Sequence, residues 1–234
     1  MSGEITVSVI IPAYNEQGTI IEILQEIKVQ EVESVRFEII VIDDCSTDET
    51  LNLLENNRSL YTTLVKLEKN SGKGAAVKAG LERASGDFIL FQDADLEYSP
   101  KEYEGLLVPI RQYNADLVMS SRFAAPNYTR VAYFWNKVGN RLITLVFNIL
   151  NNTTFTDIYS CYMLFRRDLV RPENLRSMGW SQHAEILSLA QKNANVIYEV
   201  PISYHGRSFE EGKKIRPYHI ISVFWTIFIC RFLR

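Results

Sequence analysis

The chain has 234 residues, 47% of them apolar and 23% charged, with a net charge of −3. That length suits one domain over 1–234 with a sizeable core, and the slightly acidic balance argues against nucleic acid as a partner. Cys45, Cys161 and Cys230 are widely spaced with no CxxC pair, so a disulfide scaffold or zinc site is not expected and a reducing, cytoplasmic setting is the simpler one.

The first half alternates regularly. Residues 5–11 read as a strand, 12–15 as a turn and 18–29 as a helix. Residues 37–42 give a second strand, ended by Asp43 and Asp44. Ser46 and Glu49 then have the spacing of a helix capping box. A third strand at 63–67 leads through Asn70-Ser71-Gly72-Lys73-Gly74 to a helix ending near 84. The fourth, 88–91, is wholly apolar and runs into Asp93-Ala94-Asp95. Alternation of this kind predicts an α/β fold, a mainly parallel sheet with helices on both faces. Such sheets bind ligands at the carboxyl ends of their strands, where all these polar clusters fall.

The second half is less regular. A helix is expected over 101–113, a strand over 116–120 and a long helix over 131–150. A short strand at 162–165, a helix at 183–193 and an extended run at 196–204, interrupted by Pro201, follow. From 206 onward six bases, Arg207, Lys213, Lys214, Arg216, Arg231 and Arg234, face only Glu210 and Glu211. The apolar stretch 220–229 is too short to span a bilayer. The segment 217–234 is therefore expected as a helix packed on the core or on a second subunit, or as an interfacial helix on an anionic membrane. The opening Met1-Ser2-Gly3-Glu4 lacks the basic and apolar regions of a signal peptide. The expected location is cytoplasmic, or peripheral on the cytoplasmic membrane face.

Asp93 and Asp95, two apart beyond a strand, would point the same way roughly 6.5 Å apart. Like charges that close call for a cation between them. A hard ion held by one or two carboxylates and completed by phosphate oxygens meets that need. Lys73, in a glycine loop opening a helix, would favour a diphosphate, with the glycines letting backbone approach it. The loop has neither P-loop nor Gly-x-Gly-x-x-Gly spacing. Tyr14 could lie against a flat ring, Glu16 near a ribose or base edge, and Asp43 or Asp44 could accept from base or ribose groups.

In order and placement, PAYNE (12–16), DDCSTD (43–48), NSGKG (70–74) and QDADLEY (92–98) resemble the family 2 inverting glycosyltransferases of the GT-A, Rossmann-like fold. Within that family the chain is most similar to the dolichyl- and polyprenyl-phosphate branch, through Ser120-Ser121-Arg122-Phe123 and the basic loop 207–214. The resemblance implies a hexosyltransferase using a UDP- or GDP-linked sugar, with a polyprenyl phosphate or a saccharide as acceptor. It implies that Pro12, Tyr14 and Glu16 line the nucleotide pocket, with Asp44 on the base and Asp43 nearby. Asp93 and Asp95 would hold Mg²⁺ or Mn²⁺, with Glu97 where relatives carry a glutamine ligand. Arg122, Arg207 and Lys213 would neutralise donor and acceptor phosphates. Cys161 stands where the family has glycine, and the basic loop reads Glu-Glu-Gly-Lys-Lys.

The chemistry expected is a single in-line displacement at the anomeric carbon. A lipid phosphate is already anionic and needs no strong base, whereas a hydroxyl does. Two base candidates exist, Asp157 and Glu185, the latter at the place of the family's helical carboxylate. His183 is expected as a structural or substrate-contacting neighbour. A nucleotidyltransferase would carry a glycine-rich loop where PAYNE stands. A binding module without catalysis would not be expected to keep Lys73, Asp93 and Asp95.

Overall fold

A β-branched, apolar strand forms the centre of the molecule. The structure, a computed structural model, describes residues 4–124, 134–204 and 219–234. Strand β1 (Ile5–Ala13) is buried along almost its whole length. It is flanked in parallel by β2 (Val35–Asp43) and β4 (Phe88–Phe91). Pro12 is tolerated in this central strand because pairing with β4 stops at Ile10, so the missing N–H has no strand to bond. Strand β3 (Thr63–Lys66) extends the sheet beyond β2.

Helices α1 (Ile20–Lys28) and α2 (Thr50–Asn56) connect β1, β2 and β3, stepping outward. Helix α3 (Lys73–Arg83) then crosses back over β1 and β2 to reach β4. Right-handed crossovers in opposite directions place α3 on the other face from α1 and α2. Gly80 lets α3 lie close on the sheet, since a Cβ there would fall 2.5 Å from Ile10 Cγ2. The reversal of direction between β1 and β4 opens the crevice at their carboxyl ends.

Beyond β4 come α4 (Tyr103–Tyr113), β5 (Leu117–Ser121), α5 (Phe134–Asn151), β6 (Met163–Arg166), α6 (Gln182–Asn193), β7 (Ile197–Pro201) and α7 (His219–Phe232). The seven strands order as β3-β2-β1-β4-β6-β5-β7. Strand β6 runs antiparallel to both neighbours, and β7 is parallel to β5. The sheet is thus mixed and mainly parallel, as expected.

Two local expectations change. No capping box forms: α2 starts at Thr50, four residues after Ser46, because both polar groups expected to cap it are used elsewhere. Ser46 Oγ accepts from the Asn15 N–H, and Glu49 takes the side chain of Asn52. The helix expected from 101 starts with a 3₁₀ turn at Pro100–Glu102. The C-terminal segment forms α7, which packs on α5 and α6 through Val223, Ile227 and Cys230. These lie at helical spacing on one face. Among the described residues no helix is long and apolar enough to cross a membrane.

Candidate active site

The loops after β1 and β2 are tied into one wall. Asn15 adopts a left-handed φ of 56°, which asparagine tolerates better than most residues. Its Oδ1 accepts from Thr47 N at 2.8 Å, and Thr50 Oγ1 accepts from Glu16 N at 2.9 Å. Pro12, Tyr14 and Glu16 are half-buried along this wall. Asp43 is buried, with Oδ2 accepting from Ser46 N at 3.3 Å and Oδ1 without a partner among the described residues. Asp44 differs: its two oxygens accept from Ser71 N and Gly72 N, each at 2.8 Å. Asp44, expected on the base, thus clamps the glycine loop, while the open acceptor belongs to Asp43.

The glycine loop is also built differently from expectation. The N–H groups at the start of α3 do not form an open anion cradle. Ser71 and Gly72 donate to Asp44, and Gly74 N donates to Met178 O at 3.0 Å. A Cβ on Gly74 would fall 2.5 Å from the Met178 carbonyl carbon and oxygen. The glycine therefore admits another stretch of this chain's own backbone. Of the groups in this loop, the Lys73 side chain is the one that would remain for a phosphate.

Lys73 forms an ion pair with Asp93. Desolvation by the surrounding protein works against both charges, although the Lys73 side chain keeps about half its surface in water. Each nonetheless holds the other: the Asp93 carboxyl lies below its ordinary value and the Lys73 ammonium above. Asp95 is buried and accepts from Glu97 N at 3.0 Å. Glu97 accepts from the Tyr204 hydroxyl at 2.8 Å. Cys161 Sγ donates to Phe91 O at 3.9 Å, and burial, then the nearby Asp93 charge, push its thiol up. The residue at the family's glycine position thus lies close to Asp93. His183 stands near Lys73, Asp93, Asp157 and Arg122, stacked at a tilt on Tyr159 at 5.6 Å. Burial, then the Lys73 charge, push it down to about 4, and its buried Nε2 has no partner among the described residues.

Beneath the turn, Gln92 is an anchor that the motif reading did not assign. Its Oε1 accepts from Tyr103 and Tyr162, both at 2.8 Å, and its Nε2 donates to Asp93 O and Tyr98 O. A buried amide between two tyrosines was the available signal.

The two base candidates are both engaged. Asp157, fully buried, accepts from Arg122 Nε at 2.6 Å and from its terminal nitrogen at 2.8 Å. The remaining lone pairs take Arg122 N and Tyr159 N, each at 3.2 Å. Arg122 is raised well above its ordinary range despite burial, held by Tyr98 and Asp157, and lies over Tyr204 at 5.2 Å. Glu185 is also buried and accepts from Arg176 N, Ser177 N and Arg234. It sits two residues from His183 on α6, so the two point to different sides of the helix. A carboxylate saturated in this way is a poor proton acceptor. Arg207 and Lys213 lie outside the described residues.

Among the described residues no three His, Cys, Asp or Glu side chains gather closely enough to hold a metal alone. Hard cations bound with a nucleotide commonly use only one or two carboxylates, the rest being phosphate and water. Asp93 and Asp95 fit that set, with Lys73 serving as the cation beside Asp93. A cavity of about 670 Å³ lined by Ile5, Asp87, Phe88, Arg166, Arg167 and Arg171 lies at the amino ends of β1 and β4, the opposite end of the strands from these loops.

Residues 8–172 match the family described as glycosyl transferase family 2. Over 172 residues the chain is 30% identical to poly(ribitol-phosphate) beta-N-acetylglucosaminyltransferase TarS of Staphylococcus aureus, covering 73% of this chain and 30% of TarS. It is 29% identical to dolichol-phosphate mannosyltransferase of Pyrococcus furiosus, covering 91% of this chain and 61% of that one. The chain therefore spans less than two thirds of either relative. Glucosyl-3-phosphoglycerate synthase from Mycobacterium tuberculosis, solved with Mn²⁺ and UDP, has the same fold. Its TM-score is 0.69 at 22% identity, over 97% of this chain and 80% of that one.

Proposed function

The chain belongs to glycosyl transferase family 2, and from that premise we propose that it transfers a hexose from a nucleoside-diphosphate sugar to a polyprenyl phosphate. The observation that carries the acceptor class is the saturation of Asp157 and Glu185. A hydroxyl acceptor needs a base, and neither candidate offers a free lone pair. A lipid phosphate brings its own negative oxygen.

On the donor side, Tyr14 and the open oxygen of Asp43 meet the nucleoside. A ligand N–H or O–H would satisfy that buried acceptor, which is costly to leave unpaired. Asp93 and Asp95 would hold Mg²⁺ or Mn²⁺, with the Glu97 carboxylate as a further candidate ligand, its N–H already bonded to Asp95. The ion would offset the charge that grows on the departing diphosphate. Lys73 turns from Asp93 to a diphosphate oxygen, stabilising the leaving group. The acceptor oxygen attacks the anomeric carbon from the opposite side and inverts it. Arg122, held by Asp157 and stacked on Tyr204, presents its charge to the acceptor phosphate, with Arg207 and Lys213 as further candidates.

A lipid acceptor also suits the outer surface. Helix α5 exposes Phe134, Trp135, Leu142, Leu145 and Ile149, and α7, packed against it, exposes Ile221, Trp225, Phe228 and Phe232. Neither helix contains an acidic residue. Such a paired apolar face with basic neighbours suits peripheral contact with an anionic membrane. A saccharide acceptor is the second reading, favoured by the likeness to TarS at 30% identity, against 29% for the mannosyltransferase.

The test is transfer by purified protein with Mg²⁺ or Mn²⁺ and a panel of UDP- and GDP-sugars, with and without a short polyprenyl phosphate. Metal-dependent glycosylation of the lipid is the expected result. Donor hydrolysis with transfer only to saccharides would favour the second reading. Absence of nucleotide-sugar binding would overturn both.

A further inference from the structure

We infer that Glu185 is a positioning residue which, with Arg234, holds loop 175–178 against the glycine loop and so sets Lys73 for the donor diphosphate. The diphosphate role rests on the donor reading above; the clamp itself rests on geometry. Glu185 accepts from Arg176 N at 3.0 Å and from Ser177 N at 2.8 Å. From the other side Arg234 donates both to Glu185 and to Asn174 O. The loop is thus gripped at 174, 176 and 177 by one buried carboxylate and one guanidinium.

The next carbonyl, Met178 O, receives the Gly74 N–H at 3.0 Å. Leu175 O receives Lys78 Nζ from the same helix at 3.4 Å. With no Cβ on Gly74 the two backbones touch directly, so a displaced loop must move the first turn of α3. Lys73 lies in that turn, with its ammonium on Asp93. A carboxylate that donates nothing and accepts from two backbone N–H groups and an arginine has the chemistry of a clamp. The consequence is a mechanical link between the end of α7 and the donor site, two regions 49 residues apart at the Glu185–Arg234 contact.

The test compares Arg234→Gln, Arg234→Lys and Glu185→Gln by donor kinetics at saturating acceptor and by amide hydrogen exchange across 70–78 and 174–178. Arg234→Gln is expected to raise the donor KM about tenfold, the scale of one lost charged hydrogen bond. Its kcat should stay within about threefold of the parent. Arg234→Lys should recover most of the affinity. Exchange should quicken in both segments without any ligand, and combining Arg234→Gln with Glu185→Gln should add little, because both act on one contact. A loss of kcat in Glu185→Gln at unchanged donor KM, with Arg234→Gln normal, would make Glu185 a base and overturn the proposal. Unchanged exchange in Arg234→Gln would overturn it too. If Glu185→Gln does not fold, the two Arg234 variants decide. If the parent uses no nucleotide sugar, the donor reading fails while exchange still tests the clamp.

Discussion

At the carboxyl ends of β1 to β4 the loops hold one another through short polar side chains and backbone N–H groups. Asn15 takes Thr47, Ser46 takes Asn15, and Asp44 takes Ser71 and Gly72. Across the crevice, on the side of β5 to β7, the fastening is ionic. Arg122 meets Asp157 35 residues away, and Arg234 meets Glu185 49 residues away. The first region leaves open groups for a ligand, namely Asp43 Oδ1 and the exchangeable Lys73–Asp93 pair. In the second, Asp157 and Glu185 spend their lone pairs on holding structure. Acidic residues therefore differ in what they leave open: Asp43 and Asp93 keep a free or exchangeable oxygen, whereas Asp44 beside them, and Asp157 and Glu185 across the crevice, act as braces.

The sharpest way to break this comparison is to remove one acid from each side. Asp93→Ala should lower sugar transfer by about a thousandfold or more, since it removes a cation ligand and the partner of Lys73. Its melting temperature should move by only a few degrees or so, because Lys73 is about half exposed and can turn to water. Transfer assays with Mg²⁺ or Mn²⁺, run beside thermal melts, would check both. Asp157→Ala should do the reverse in emphasis. Leaving buried Arg122 without its partner should cost about 3–5 kcal/mol of stability, read as a lower urea midpoint. A well-folded Asp157→Asn protein that loses kcat for saccharide acceptors alone would return Asp157 to the role of base.

The same contrast explains what could be read from the sequence. Seven strands and most helices were legible because period and composition are local signals: the wholly apolar 88–91 run is β4, and strand–helix alternation gave the parallel half. Motif loops were legible as a set because the sheet brings the carboxyl ends of its strands together. The partners were not. Ser46 and Glu49 have capping-box spacing, yet Ser46 bonds Asn15 in a different loop. Asp44 resembles a base-binding residue, yet the neighbouring Asp43 keeps the open oxygen. Glycines read as a phosphate cradle admit the Met178 backbone. In each case the deciding contact lies between residues distant in sequence, which periodicity and motif spacing do not encode.

Glu185 offers a smaller test. Burial would raise its carboxyl, but hydrogen bonds from Arg234, Ser177 and Arg176 overrule that and hold it below its ordinary 4.5. A carboxylate depressed in the fold contributes its full stability above the unfolded value, and loses it as pH falls through the folded one. Glu185→Gln should therefore be less stable than the parent at neutral pH, by about 1–2 kcal/mol. The gap should narrow steadily below pH 4.5 as the parent's own carboxylate takes up its proton. Urea unfolding at a series of pH values would show it. A gap independent of pH would mean that Glu185 is not held as a charged group.

The mildest expected change concerns the outer face, where neither open acids nor buried braces operate. Trp135 and Trp225 are 77% and 62% exposed, so replacing either with serine should alter folding stability by no more than about 0.5 kcal/mol. In water these rings contribute little to the fold. At a bilayer interface each would bury apolar area, worth about 1–2 kcal/mol. Sedimentation with vesicles containing anionic lipid should then show binding weakened several-fold per substitution, with turnover of a short, water-soluble acceptor unchanged. Vesicle binding that ignores both tryptophans would detach the α5–α7 face from the membrane. The lipid-phosphate reading would then rest on the engaged carboxylates alone.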